Sequence, residues 1–249
     1  PRARAVEVSW SHPAGGANHL LALKPEGQGE WSATQPENLT GAHYWISISS
    51  GEADTQERFG ETQLVDPWAR AVVGPQQSAG IIIGPESLAP FVDGFVPPPV
   101  EDLVILEGHL RDLLGLAEGA PCAGGYRDLA RYVRSQGNYL RALGVNALEL
   151  LPCAEFEHTT AEEYHWGYMP VSAFGVANQY ASAPGVVALE EFRDLVRACH
   201  EAGLAVIMDV VLNHFGSPNG LGAIDAHYYY RVDPQGELTN WSGCGNDVR

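Results

Sequence analysis

Positive charge is what this sequence has least of. Its 14 Lys and Arg residues face 31 Asp and Glu, for a formal net charge of -17, and Lys24 is the one lysine. A field of that sign repels phosphate backbones and anionic headgroups, so nucleic acid and membrane surfaces are excluded as expected partners. No apolar run approaches the roughly 18 residues that a bilayer-spanning helix needs. The four cysteines, Cys122, Cys153, Cys199 and Cys244, lie far apart and form no C-x-x-C pair. Neither a zinc site nor a disulfide scaffold is indicated, and buried free thiols are the simpler reading. No basic-then-apolar leader opens the chain, which favours a cytoplasmic location. Neither G-x-G-x-x-G nor G-x-x-x-x-G-K-[ST] occurs, so nucleotide binding has no support.

What is present is globular: 249 residues, 45% apolar and 18% charged, enough for one large or two ordinary domains. The first part carries short alternating runs, Ala5 to Trp10 and His43 to Ser49, separated by Gly, Pro and Asn clusters. That pattern predicts a small antiparallel β-sandwich over residues 1–98. The stretch Phe91 to Val100 (F-V-D-G-F-V-P-P-P-V) then breaks any regular element, because consecutive prolines suit neither a helix interior nor a central strand. A domain boundary is expected there, with a second domain over residues 99–249.

Beyond it the rhythm changes. Leu103 to Leu106 reads as a strand, and Leu129, Tyr132, Val133, Gln136, Leu140 and Leu143 fall at helical spacing before Gly144. Ala147 to Leu151 is a second strand. Leu189, Phe192, Leu195, Val196 and Cys199 share one helical face, Gly203 stops it, and Leu204 to Val211 is a third strand. Such alternation predicts a parallel sheet with helices outside.

Two features carry chemistry. Asp209 to His214 (D-V-V-L-N-H) places an acid near the carboxyl end of strand three and a histidine just beyond, the edge where barrel enzymes build their sites. Trp166 to Pro170 (W-G-Y-M-P) puts Trp166 and Tyr168 in the connection between strands two and three, followed by Phe174 and Tyr180. Sugar rings offer apolar CH faces to such side chains. Taken singly, each has a plain structural alternative: Asp209 accepting backbone N–H groups, His214 capping a loop, aromatics packing a loop down.

In this order, with L-G-V-N-A-L-E-L-L-P (Leu143 to Pro152), these segments resemble the α-amylase superfamily of glycoside hydrolases. Leu64 to Val73 (L-V-D-P-W-A-R-A-V-V), Tyr164 to Pro170 and Ser242 to Asp247 (S-G-C-G-N-D) are similar to segments of its debranching members, the isoamylase, pullulanase and glycogen debranching type. The resemblance implies a glycogen-binding-type β-sandwich followed by the first three βα units of a (β/α)8 TIM barrel. It implies part of a hydrolase that cleaves α-1,6 bonds of starch or glycogen with retention. Tyr168 would stack on the glucose at the cleavage position, with Trp166 beside it. Asp209 would hold an active-site arginine, and His214 would meet the 6-hydroxyl of that sugar. Asn213 matches a position that ligates calcium in many amylases; no cofactor is required, and calcium is the one ion to consider.

A retaining glycosidase needs two carboxyl groups about 5 Å apart. Family members carry them on strands four and five, whereas the 151 residues from Pro99 onward supply three strands of a fold that takes roughly 250 residues. The nucleophile and general acid are therefore expected to be missing, and this chain to be inactive alone. Asp225, Asp233, Glu237 and Asp247 read as solvated loop acids and turn residues. The expected partners are an α-glucan oligosaccharide or polysaccharide, and the missing C-terminal half of the barrel or another chain covering the strand-three edge. A branching enzyme is the nearest alternative, and a noncatalytic α-glucan-binding protein is the alternative of another class.

Overall fold

The computed structural model describes residues 3–50, 63–74, 79–88, 93–115, 124–135, 139–160 and 163–249. Cys122, Gln136 and Phe91 lie outside these. No helix among the described residues is long and apolar enough to cross a membrane.

The alternating runs become strands. β1 (Ala3–Ser11) pairs antiparallel with β2 (His19–Ala22) on one side and β5 (His43–Ser50) on the other, and β6 (Gly80–Ile81) completes a four-stranded sheet in the order β2-β1-β5-β6. Trp10 and Leu64 are buried against it, and Leu64 exchanges both backbone hydrogen bonds with Ile46 of β5. A separate two-stranded ribbon joins β3 (Lys24–Gly27) to β4 (Glu30–Ser32). The sandwich expected here is thus one four-stranded sheet and one ribbon among the described residues.

The second half is built on three parallel strands in the order β7-β8-β9: β7 (Ile105–Gly108), β8 (Ala147–Leu150) and β9 (Ala205–Met208). Helices α1 (Leu110–Gly115), α2 (Tyr126–Arg134) and α3 (Tyr139–Leu143) connect β7 to β8, and α4 (Val186–Glu201) returns the chain to β9. The core lies between sheet and helices, with Leu129, Val133, Leu148, Leu150, Leu195 and Cys199 essentially inaccessible. α2 and α4 pack side by side over it. Gly144 and Gly203 adopt left-handed φ of 71° and 78° just past α3 and α4, the conformation that ends a helix without Cβ strain.

Three expectations need correction. β7 begins at Ile105, not Leu103: the Val104 N–H donates to the Asn146 side chain, and the Val104 carbonyl accepts from Asn146 and Ala147, so pairing with β8 starts after it. The single helix expected through Leu143 is two helices, with Ser135 extended after α2. After β9 the chain runs through a loop into α5 (Leu221–Tyr229), which leaves helical geometry at Asp225. Two strand–helix–strand crossovers are therefore formed, and a third unit of the expected kind is not seen among the described residues. Of the thiols, Cys153 and Cys199 are free and buried, and burial pushes each up to about 12. Cys244 is free and partly exposed, unlike the buried thiol expected.

Candidate functional site

Asp209 follows the last residue of β9, and its N–H still donates to the Leu150 carbonyl of β8 at 3.1 Å. This residual ladder bond fixes the carboxylate at the carboxyl edge of the sheet, as its position in the sequence predicts. The Tyr168 hydroxyl donates to Asp209 Oδ2 at 2.5 Å. That bond, then desolvation, then the charges of Asp209, Glu107 and Glu149 push the phenol up to about 12. Tyr168 therefore stays a protonated donor at neutral pH, with Asp209 as its acceptor.

The loop that carries Tyr168 is held by backbone. Residues 154 and 176 form one antiparallel bridge and 156 and 170 another. Gly167 has φ 85°, and a Cβ there would stand 2.5 Å from the Pro152 carbonyl oxygen, so only glycine fits this turn. Beneath it, buried Glu155 accepts from the Asn178 N–H at 2.7 Å and from its side-chain amide at 2.6 Å, and pairs with His158 at 3.2 Å. The Asn178 amide also donates to the Val72 carbonyl at 2.9 Å, tying the loop to the N-terminal half.

His214 closes the arrangement from the other side. It is 6% exposed, and its Nε2 lies 2.6 Å from the Tyr168 carbonyl oxygen. A carbonyl only accepts, so Nε2 carries the proton. Nδ1 is buried with no hydrogen-bond partner. Phe215 and Asn246 exchange two hydrogen bonds, at 3.1 and 2.8 Å, and the Val248 N–H donates to the Asn213 carbonyl at 2.9 Å. The S-G-C-G-N-D segment is thereby fastened to the strand-three loop.

Of the predicted residues, the structure joins Tyr168, Asp209 and His214 in one hydrogen-bonded chain. Trp166 is exposed, donating through Nε1 to the Tyr164 hydroxyl at 3.3 Å. Tyr180 is core: it packs against Tyr126 and Phe156, and its hydroxyl pairs with His109 at 2.9 Å. Asn213 is exposed, and no group of three or more His, Cys, Asp or Glu is placed to hold a metal among the described residues.

Asp247 differs from the solvated acid expected. It is buried and accepts from Thr239 Oγ1 at 2.6 Å and from the N–H groups of Trp241 and Ser242, both at 2.8 Å. Led by the Thr239 hydrogen bond, these hold its carboxyl well below the usual range. Asp233 and Asp225 act as turn residues, accepting the N–H groups of Gln235 and Glu237, and of Tyr228. Sequence reading missed Glu107 and Glu149, which stand opposite each other in register with Ile207. Period-two alternation puts both on the sheet face that Asp209 continues, and that alternation within L-V-I-L-E-G and A-L-E-L-L was the available signal.

The family model for the alpha amylase catalytic domain matches residues 130–223. A type I pullulanase from Bacillus subtilis str. 168, complexed with maltose, is 27% identical with a TM-score of 0.78 over 99% of this chain and 36% of its own. The pullulanase from Paenibacillus barengoltzii, in complex with maltohexaose and alpha-cyclodextrin, is 25% identical with a TM-score of 0.82, over 99% and 41%. That from Bacillus acidopullulyticus is 26% identical at 0.81, over 99% and 32%. The chain spans about a third to two-fifths of the length of these pullulanases. Over its own length it is pullulanase-like, with an alpha-amylase-type segment in its second half.

Proposed function

We propose, from a pullulanase-like fold and an alpha-amylase-type catalytic segment, that this chain is part of an α-glucan debranching glycosidase. The reaction would be hydrolysis of α-1,6-glucosidic bonds with retention. The observation that carries the reading is the hydrogen bond from Tyr168 to Asp209, with His214 on the Tyr168 carbonyl, at the carboxyl edge of the parallel sheet. It fixes an aromatic ring beside a carboxyl group where α/β barrels assemble their chemistry. The pullulanases it resembles were crystallised with maltose and maltohexaose, which supports an α-glucan as the ligand.

In this reading Tyr168 stacks on the glucose at the cleavage position, and Trp166 offers a second ring. Asp209, already an acceptor for Tyr168, keeps lone pairs for a cationic side chain such as an arginine. His214, held through Nε2 on the Tyr168 carbonyl, would meet the 6-hydroxyl of that sugar. These groups bind and orient. The nucleophile and general acid are assigned to residues other than Asp225, Asp233 and Asp247, whose carboxylates are committed to backbone N–H groups. No step requires a metal.

The test is amylopectin treated with the intact parent protein. Debranching raises both reducing ends and iodine colour. Falling iodine colour with no new reducing ends would replace hydrolysis by branching transfer, and no change at all would leave only binding.

A further inference from the structure

A second aromatic surface lies at the seam between the two halves of the chain. The Asp66–Ala69 turn lays Trp68 against Phe174, with ring centroids 5.2 Å apart and planes 8° from parallel. Trp68 is 72% exposed, Phe174 53% and Tyr228 71%. Large aromatics this accessible, gathered around one opening, are a marked departure from ordinary surface. They border a cavity of about 250 Å³, whose wall also includes Asp66, Ser172, Phe215, Asn219 and Tyr229.

The lining selects its occupant. Among the described residues it contains no Lys, Arg or His, and its one acidic side chain is Asp66, so an anion is disfavoured and a neutral ligand is favoured. Flat rings suit a ligand with an apolar face, and the rim suits one with hydroxyl groups. The Asp66 carboxylate accepts one bond on each oxygen, from Tyr44 at 2.8 Å and the Trp68 N–H at 2.9 Å, leaving a lone pair on each. Ser172 Oγ accepts from the Gly175 N–H at 3.1 Å, leaving its own O–H to donate. A pyranose ring has both properties. Residues 171–174 of the wall follow directly on the loop that carries Tyr168, so one chain segment serves both places.

We propose that this seam pocket is a second binding site for a neutral α-glucan chain, which lies against the Trp68–Phe174 stack apart from the Tyr168–Asp209 site. The identity of the ligand rests on the α-glucan reading above; the existence of the pocket does not. The test uses the 249-residue chain, its tryptophan indole N–H resonances, and maltohexaose as probe. Comparison with Trp68→Phe, which keeps an aromatic ring in the stack, identifies the Trp68 resonance. Maltohexaose is expected to shift it in the wild type and equally in Tyr168→Ala. Phe174→Ala should weaken the titration about tenfold, the scale of one lost stacking partner. A Trp68 resonance that does not move, or that moves in wild type but not in Tyr168→Ala, overturns the second site. Debranching by the parent with a silent Trp68 would defeat this inference alone. A shifting Trp68 in a parent without debranching activity would defeat the activity and leave the site.

Discussion

Tyr168 combines a ring that can meet sugar with a hydroxyl that fixes Asp209, and substitution separates the two. In the intact parent, Tyr168→Ala should lower kcat/KM about tenfold, corresponding to about 1 kcal/mol or more of lost stacking. Tyr168→Phe keeps the ring but leaves Asp209 one donor short, so it should retain more activity than alanine and less than wild type. His214→Ala removes the anchor on the Tyr168 carbonyl and should act in the same direction. Steady-state kinetics on pullulan check all three, and wild-type values would return these residues to plain packing.

Asp247 offers a pH test. Its carboxyl is lowered in the folded chain, so its stabilisation is complete above the ordinary carboxylate range and is lost as pH falls through the lowered value. Near-ultraviolet circular dichroism from Trp241 should therefore hold at mildly acidic pH and change only under stronger acid, whereas Asp247→Asn should show the altered signal at neutral pH. The two site motifs were legible because their letters are unusual together. The contact between Tyr168 and Asp209 was not, since 41 residues separate them. Asp247 was misread because what it gathers is mostly backbone N–H, which no side-chain letter announces.

At the scale of elements, β8 and α4 were legible because burial on the sheet's faces and one helical stripe impose period and length, whereas β9 ends at Met208 rather than at the expected Val211. β7 was misplaced by two residues. Leu103 and Val104 look like strand, but an edge strand's register is set by its neighbour, here the Asn146 side chain that takes the Val104 N–H. Pro97 to Pro99 belong to no helix or strand, yet the described residues just before them are attached. Asp93 Oδ2 lies 2.5 Å from His200 Nδ1, and Phe95 stacks on the same imidazole with centroids 4.2 Å apart. Val96 and Val100, beyond that clamp, are exposed. Limited proteolysis should therefore cut first near Pro97 to Pro99, releasing fragments that match residues 1–98 and 99–249. His200→Ala, which removes the clamp, should speed that cut. Protection there, with first cleavage inside the β-rich half, would overturn the boundary.

At the scale of the whole molecule, the question is whether these 249 residues can turn substrate over. The two acids best placed to object are Glu107 and Glu149. They face each other across neighbouring strands, about 4.8 Å apart by strand spacing, close to the separation that a retaining pair needs. Yet both are in register with Ile207, two residues below Asp209, and so sit within the sheet rather than at the rim where loops deliver substrate. Their visible effect is to raise the Tyr168 phenol by their charge. The expected outcome is binding without turnover: the purified chain takes up maltohexaose with little dependence on salt, because the ligand is neutral, and releases no reducing ends from pullulan above background. Hydrolysis by chain of verified mass, abolished by Glu107→Gln or Glu149→Gln while maltohexaose still binds, would reverse this and make the inner pair the catalytic one. Hydrolysis abolished instead by Asp247→Asn would move the chemistry to the S-G-C-G-N-D loop.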